Sequence, residues 1–283
     1  MEIKKVGVVG CGLMGSGITQ VCAQAGYQVV VSEVNEELLN KGLASINSFL
    51  TKGIEKGKLS QQDKDLALAR IKGTTNTKDF ADCDLVIEAV NENMDLKKKI
   101  LAELDKICPK HAILATNTSV LSVLDLATVT TRQDKVLGLH FFSPVPLMQL
   151  LEVVKTIATN DETLEVGKSF GTSLGKTIVI SQDTPGFIVN RLLNPFLMTA
   201  ARMLEAGIAT KEDIDTSIKL GLGHPMGPLA LMDLIGLDIV LHATSAIYEE
   251  TRDPQYAPPV LLKKMVTAGW LGRKTGKGFY DYD

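Results

Sequence analysis

The sequence predicts an α/β fold in two parts, a doubly wound, mostly parallel sheet in residues 1–183 and an all-helical domain in residues 184–283. Three observations carry this. A glycine triplet, Gly10-x-Gly12-x-x-Gly15, falls between a valine-rich strand and a helical pattern. Further apolar runs of strand length alternate with helical stretches as far as "KTIVISQD". Beyond that point the patterns are helical.

The run "KKVGVVG" reads as the first strand; Ile18, Val21, Cys22 and Ala25 then recur at helical spacing until Gly26 stops the helix. In this strand-turn-helix context the glycines have separate tasks. Gly10 allows the tight turn, Gly12 the approach of a pyrophosphate to the backbone, and Gly15 the close packing of helix on strand. The amides of the helix start, at Leu13 and Met14, then face phosphate. A second strand, "QVVVSE", ends on Glu33, where a carboxylate accepts hydrogen bonds from an adenosine ribose and repels a 2′-phosphate. These features predict a Rossmann-like domain that prefers NAD to NADP. The alternative for Glu33 is a solvated loop acid beside Glu36 and Glu37.

The segment "SINSFLTKGIEKGKLSQQDKDLALARIKG" reads as a charged helical hairpin with two glycine breaks. Solvation alone explains its charge, and Lys52, Lys56 and Lys58 are also candidates to grip an anionic substrate tail. "DLVIEAV", "AILAT" and "KVLGLH" read as further strands, separated by helices such as "MDLKKKILAELDKIC". Carboxyl ends of parallel strands face the ligand crevice, which places Glu88 to Asn93, Asn117 to Ser119, and His140 on one rim.

In "KVLGLHFFSPVPLMQLLEVV" a strand ends at His140, the chain turns through two prolines, and the next strand carries one acid, Glu152. Such a return brings Glu152 beside the imidazole, where it fixes the tautomer and stabilises the imidazolium. The other histidines rank lower. His111 opens a strand and is expected to be exposed, His224 lies in an interhelix loop, and His242 reads as a satisfied core residue of an apolar helix.

In the second part Pro185-Gly186 opens a helix, Gly207 closes it, Thr210 caps the next, and "GLGHPMGP" breaks the following pair. Apolar residues such as Ile235, Leu237, Ile239, Val240 and Leu241 cover much of the helix circumference, which predicts a homodimer formed through this domain. The terminal "GWLGRKTGKGFYDYD" reads as a structural tail that packs Phe279 and Tyr280.

Composition narrows the function classes. At 283 residues, 45% hydrophobic and with a net charge of −3, the chain lacks the basic excess that holds nucleic acid or an anionic membrane. Cys11, Cys22, Cys83 and Cys108 are scattered, so neither a metal site nor a redox pair is indicated, and buried free thiols fit a reducing compartment. There is no signal-peptide pattern and no apolar run long enough to span a bilayer; a cytoplasmic protein is expected. The sequon Asn117-Thr118-Ser119 is then coincidental.

A Ser-His-acid hydrolase with Ser119 as nucleophile competes with hydride transfer. No G-x-S-x-G surrounds Ser119, and a hydrolase has no use for a dinucleotide fingerprint. In hydride transfer a base takes the alcohol proton, while neutral donors such as Ser119 and Asn190 position the oxygen.

With "GCGLMGSGI", "EAVNENMDLKK", "TNTSVLS", "GLHFFSPVP", "DTPGFIVNRLL", "GHPMGPLALMDLIGLD" and "GRKTGKGFYDY", the chain resembles the 3-hydroxyacyl-CoA dehydrogenase family over essentially its whole length, and most of all its stand-alone bacterial 3-hydroxybutyryl-CoA branch. The resemblance implies NAD as cofactor and interconversion of (S)-3-hydroxybutyryl-CoA and acetoacetyl-CoA, in fatty-acid or butyrate metabolism. It implies His140 as general base, Glu152 as its partner, and Ser119 and Asn190 as substrate-positioning groups. It also implies cofactor contacts from Glu33, Glu92, Lys97 and Asn117, and CoA contacts from Lys52 and Lys56. Two positions depart from the family's usual pattern: Ser143 replaces Asn in the loop after His140, and Glu33 replaces the Asp of many members with the charge kept. No hydratase segment is fused to the chain, so a single activity is expected. The competing expectations are a hydroxyacid or sugar-acid dehydrogenase of the same plan and a nonenzymatic NAD-binding protein.

Overall fold

A computed structural model describes residues 1–282 of the chain. The chain divides into two compact units, Met1–Asp183 and Thr184–Asp283.

In the first unit β1 (Lys5–Val9), β2 (Gln28–Ser32), β3 (Ile71–Thr74), β4 (Leu85–Glu88), β5 (Ile113–Thr116), β6 (Val136–Phe141), β7 (Leu150–Lys155) and β8 (Thr177–Gln182) form one sheet. Its order is β3-β2-β1-β4-β5-β6-β7-β8. The pairs from β3 through β6 are parallel, β7 returns antiparallel to β6, and β8 runs parallel to β7. β4, β5 and β6 are buried at every position, which is why their sequences are continuous apolar runs without alternation. After β1 the chain builds outward through β2 and β3, then crosses to the other side of β1 to begin β4. That reversal opens a crevice beyond the carboxyl ends of β1 and β4.

The connecting helices are α1 (Leu13–Gln24), α2 (Glu36–Glu55), α3 (Gln61–Ala69), α4 (Met94–Ile107), α5 (Val123–Ala127) and α6 (Asp161–Ser173). Asn35 caps α2 by accepting from the Leu38 amide, and Ser60 with Asp63 forms a capping box on α3. Of the two expected glycine breaks in this hairpin only Gly57 is one, at φ +65°; α2 runs unbroken through Gly53. β3, "IKGT", lacks a strand pattern of its own and was not expected from the sequence. Its pairing with β2 makes it a strand, and Gly73 lets Leu39 and Leu43 of α2 lie against it.

A buried Arg132 joins the loops flanking β5. It donates to the Asp105 carboxylate at 2.6 Å and to the backbone oxygens of Asp105, Cys108, Pro109 and Ala112.

The second unit contains α7 (Val189–Glu205), α8 (Lys211–Gly221), α9 (Pro228–Ile235), α10 (Leu237–Thr251) and α11 (Val260–Thr267). Thr210 caps α8 through the Asp213 amide. The apolar run 235–241 is not one helix face. Gly236, at φ +105°, bends the chain by 99° between α9 and α10, which buries Leu237 and Val240 but leaves Ile239 53% exposed. His242 departs from expectation: it lies on an exposed part of α10, not in the core. Buried Asp233 organises the tail by accepting from the amides of Phe279 and Tyr280 and from the Tyr282 hydroxyl. Among the described residues no single helix is long and apolar enough to cross a membrane.

Candidate active site

The glycine loop after β1 has the shape that its sequence demands. Gly10 sits at φ +96°, and a Cβ there would lie 2.8 Å from the Ala89 carbonyl oxygen. A Cβ on Gly15 would lie 1.8 Å from the Gly10 oxygen, so helix and turn touch through backbone alone. Gly12 is different: a Cβ there would meet nothing within 4 Å, so its bareness serves an approaching group, not the protein's own packing. Gly12 also stands at the start of α1, where no side chain caps the helix. The amide groups of Leu13, Met14 and Gly15 therefore begin a helix whose positive end suits a phosphate. Glu33 completes the loop: Oε1 accepts from the Cys11 amide at 2.8 Å and Oε2 from the Val34 amide at 3.0 Å. The carboxylate is thus locked beside the loop by backbone donors. Burial, followed by the charge of Glu33, pushes the Cys11 thiol up to about 12, which keeps it inert at neutral pH.

The ends of β4 and β5 carry a network centred on Lys97, whose side chain is 1% exposed. Its ammonium lies 2.7 Å and 3.0 Å from the Glu88 oxygens, 3.2 Å from Glu92 Oε2 and 3.3 Å from the Val90 carbonyl oxygen. Glu88 also accepts from the Val90 amide and the Thr116 hydroxyl, each at 2.7 Å. Glu92 Oε1 accepts from the Thr118 hydroxyl at 2.5 Å and the Ser119 amide at 2.8 Å, with the Ser119 hydroxyl at 3.4 Å. Burial pushes the Glu92 carboxyl up, but the Lys97 charge together with these hydrogen bonds outweighs it and holds the group below its ordinary value. Lys97 is thus a buried bridge between two acids, and Glu92 fixes the backbone of Ser119. Sequence reasoning placed Thr118 on the rim within Asn117 to Ser119 without giving it a role, and missed Thr116; the signal for both was the "TNT" that closes an apolar strand.

His140 and Glu152 are directly opposed across the β6–β7 ladder, with Nδ1 2.6 Å from Glu152 Oε2. The imidazole is 5% exposed and the carboxylate is buried. A carboxylate accepts here, so Nδ1 carries the proton and Nε2 holds the lone pair of the neutral ring. The Phe142 ring lies 4.4 Å from the imidazole, centroid to centroid. Asn117 Oδ1 accepts from the Phe141 amide at 3.0 Å and ties the end of β5 to the end of β6. Ser143 is exposed in the loop, before a cis peptide bond to Pro144.

Lys52, Lys56 and Asn190 belong to other elements of the chain. Lys52 is in the last turn of α2 and Lys56 is its C-cap, both exposed. Asn190 belongs to the second unit, in the first turn of α7, where its backbone oxygen accepts from the Asn194 side chain at 2.9 Å. Among the described residues no cluster of His, Cys, Asp and Glu could hold a metal ion.

The family model for the 3-hydroxyacyl-CoA dehydrogenase NAD binding domain matches residues 5–184, and the model for the C-terminal domain of the same family matches residues 186–282. The chain belongs to the 3-hydroxyacyl-CoA dehydrogenase family. It is 46% identical over 280 residues to a 3-hydroxybutyryl-CoA dehydrogenase of Bradyrhizobium diazoefficiens, a match that covers 99% of this chain and 96% of that one. The crystal structure of M. tuberculosis FadB2 is similar at a TM-score of 0.98 and 45% identity, over 100% of both chains. That of (S)-3-hydroxybutyryl-CoA dehydrogenase PaaH1 from Ralstonia eutropha is similar at 0.96 and 46%, again over 100% of both. As a member of this family the protein is an oxidoreductase with NAD as its cofactor. The uncapped start of α1, the open flank of Gly12 and the fixed Glu33 carboxylate fit that cofactor's pyrophosphate and ribose.

The Glu92 network has a signature in stability. A carboxyl held below its unfolded value, here ordinarily 4.5, contributes stability that is fully present above that pH and is lost as the pH falls through the folded value. Glu92→Gln should therefore be less stable than the parent at neutral pH, with the gap closing as the pH falls below the ordinary carboxylate range. Urea unfolding over a pH series reads this, and a gap independent of pH would contradict it.

Proposed function

We propose that the protein interconverts (S)-3-hydroxybutyryl-CoA and acetoacetyl-CoA, with His140 as the acid-base group. The observation that carries this reading is the buried His140–Glu152 pair at the carboxyl end of β6, on the strand next to β5 with its Ser119. Bound NAD supplies the hydride acceptor for oxidation and, when reduced, the donor for the reverse reaction. In oxidation Nε2 of His140 takes the hydroxyl proton, and the Glu152 carboxylate stabilises the imidazolium that forms. In reduction the same nitrogen returns the proton to the ketone oxygen. Ser119, with its amide fixed by Glu92, and Asn190 serve as neutral donors to the substrate oxygens. Lys52 and Lys56 are exposed cations suited to the phosphates of CoA.

Several finer points belong to the same proposal. Residues 1–183 bind NAD through Gly10, Gly12, Leu13, Met14, Gly15, Glu33, Glu92, Lys97 and Asn117. NAD is preferred to NADP because Glu33 is held by two backbone amides and cannot swing away from a 2′-phosphate without leaving them unpaired. Residues 184–283 contribute to the substrate site and form a homodimer, for which Leu192, Ile208, Leu220 and Leu222 supply exposed apolar surface, Leu220 at 80%. Four buried free thiols suit the reducing cytoplasm.

Oxidation of NADH by acetoacetyl-CoA is the assay. His140→Gln should lower kcat by about 10²- to 10⁴-fold while NADH binding stays near that of the parent protein. Glu152→Gln keeps a hydrogen-bonding group but not the charge, and should lower kcat and shift its pH profile. NADPH should give the lower kcat/KM. Full kcat in folded His140→Gln, with chemistry limiting, would overturn the acid-base assignment; faster turnover of free 3-hydroxybutyrate than of its CoA thioester would favour a hydroxyacid dehydrogenase. Light scattering should report twice the chain mass of 30.6 kDa, and a monomer at micromolar concentration would contradict the dimer.

A further inference from the structure

The loop between β6 and β7 carries Phe142 against the His140 ring, and its far side is held by a group outside the site described above. Lys176, 8% exposed, stands immediately before β8. Its ammonium donates to the Val145 carbonyl at 2.6 Å and to the Met148 carbonyl at 2.7 Å. Between those carbonyls the loop makes a single turn, closed by the Leu147 and Met148 amides donating to Pro144 at 2.9 Å and 3.1 Å. The lysine is itself rigidly based. Its amide donates to Gly171 of α6, and the next amide, Thr177, donates to Gln149 at 2.7 Å.

Two links run from this turn into the site. Phe142 lies 4.4 Å from the imidazole. Val145 packs against Gly17 of α1, where a Cβ would come within 2.8 Å of the valine. The loop that contains this turn therefore touches the ring of His140 through Phe142 and, through Val145, the helix that begins at the dinucleotide loop. The segment Pro146–Gln149 borders an open groove of about 450 Å³ with Val21, Ser173 and Lys176, so neighbouring side chains do not clamp it on that side. A cation bonded to both ends of the turn supplies the restraint that packing there does not.

We propose that Lys176 is a positioning residue for the His140–Glu152 pair: by joining the Val145 and Met148 carbonyls it anchors the loop that carries Phe142 against the imidazole. This rests on His140 being the acid-base group. Lys176 touches neither substrate nor cofactor in this account and acts only through the loop.

The test is a double-mutant cycle read in acetoacetyl-CoA reduction and in NADH binding. Lys176→Met keeps the length and apolar body of the side chain without the donors, and should lower kcat by about tenfold or more, the scale of a small misplacement of a reacting group, with the NADH Kd unchanged. Lys176→Arg keeps charge and donors and should recover most of the loss. In a His140→Gln background Lys176→Met should add no further loss, because the group that it positions is gone. A kcat in Lys176→Met equal to that of the parent overturns the proposal. So does a loss that multiplies fully with His140→Gln, which would place the effect elsewhere, or a rise in NADH Kd that accounts for the whole defect. If Lys176→Met does not accumulate as folded protein, Lys176→Gln, whose shorter uncharged side chain does not span both carbonyls, replaces it and is expected to show the same loss, a parental kcat again overturning the proposal. Failure of the His140 reading is distinguishable, since it appears as full kcat in His140→Gln alone.

Discussion

The antiparallel return of β7 along β6 is the constraint on which the rest of the site depends. Every earlier strand of the sheet runs parallel to its neighbour, so their carboxyl ends form one rim, but a parallel neighbour would place no residue of the next strand opposite His140 without a long crossover. The hairpin does so directly. Its register is specified by the other face: Leu137, Leu139 and Phe141 of β6 and Leu151 and Val153 of β7 all enter the apolar core. A slip of one residue would turn those side chains out of the core and Glu152 away from the imidazole. Hydrophobic burial on one face thus fixes a hydrogen bond on the other. Gly138 contributes, since a Cβ there would come within 2.8 Å of Val154.

A second buried arrangement supports the neighbouring strands. Glu88 and Glu92 share one ammonium, that of Lys97, and such a charged group is tolerable in a buried position only when its remaining hydrogen-bonding capacity is met. Here the Val90 carbonyl accepts from the ammonium, Thr116 and the Val90 amide donate to Glu88, and Thr118 and the Ser119 amide donate to Glu92. The result is a rigid seat for Ser119 at the end of β5. Similar reasoning applies to Asp183, whose carboxylate accepts from the amides of Val123 and Leu124 and so steadies the start of α5 just beyond that seat.

What was legible in the sequence was whatever a local pattern encodes. The glycine triplet, the continuous apolar strands and the acid at the end of β2 each announce their structure within a few residues. His140 and Glu152 were legible because an apolar run stops on one and resumes around the other, with a proline loop too short to permit anything but a return. The illegible parts were made by tertiary contact. β3 has no pattern, and pairing with β2 alone makes it a strand. The partnership of Lys97 with Glu88 needs α4 to fold back over the end of β4, which charge spacing does not reveal. Lys176 reads as an ordinary polar residue before a strand until two backbone carbonyls are seen at its tip. His242 failed for the opposite reason: an apolar helix suggests burial all round, whereas α10 buries only the face of Leu237, Val240, Thr244 and Ile247, and His242 is exposed.

The central claim is that Glu152 sets the tautomer of His140, with Nδ1 bearing the proton that the carboxylate accepts and Nε2 carrying the lone pair of the neutral ring. Nitrogen NMR of protein labelled with ¹⁵N-histidine tests this directly, since the chain has only 4 histidines and His140→Gln assigns the signal by its disappearance. In the neutral ring Nδ1 should resonate as a protonated nitrogen and Nε2 as an unprotonated one, and Glu152→Gln should weaken that preference. A neutral ring protonated at Nε2 in the parent protein, or a tautomer unchanged by Glu152→Gln, would contradict the account.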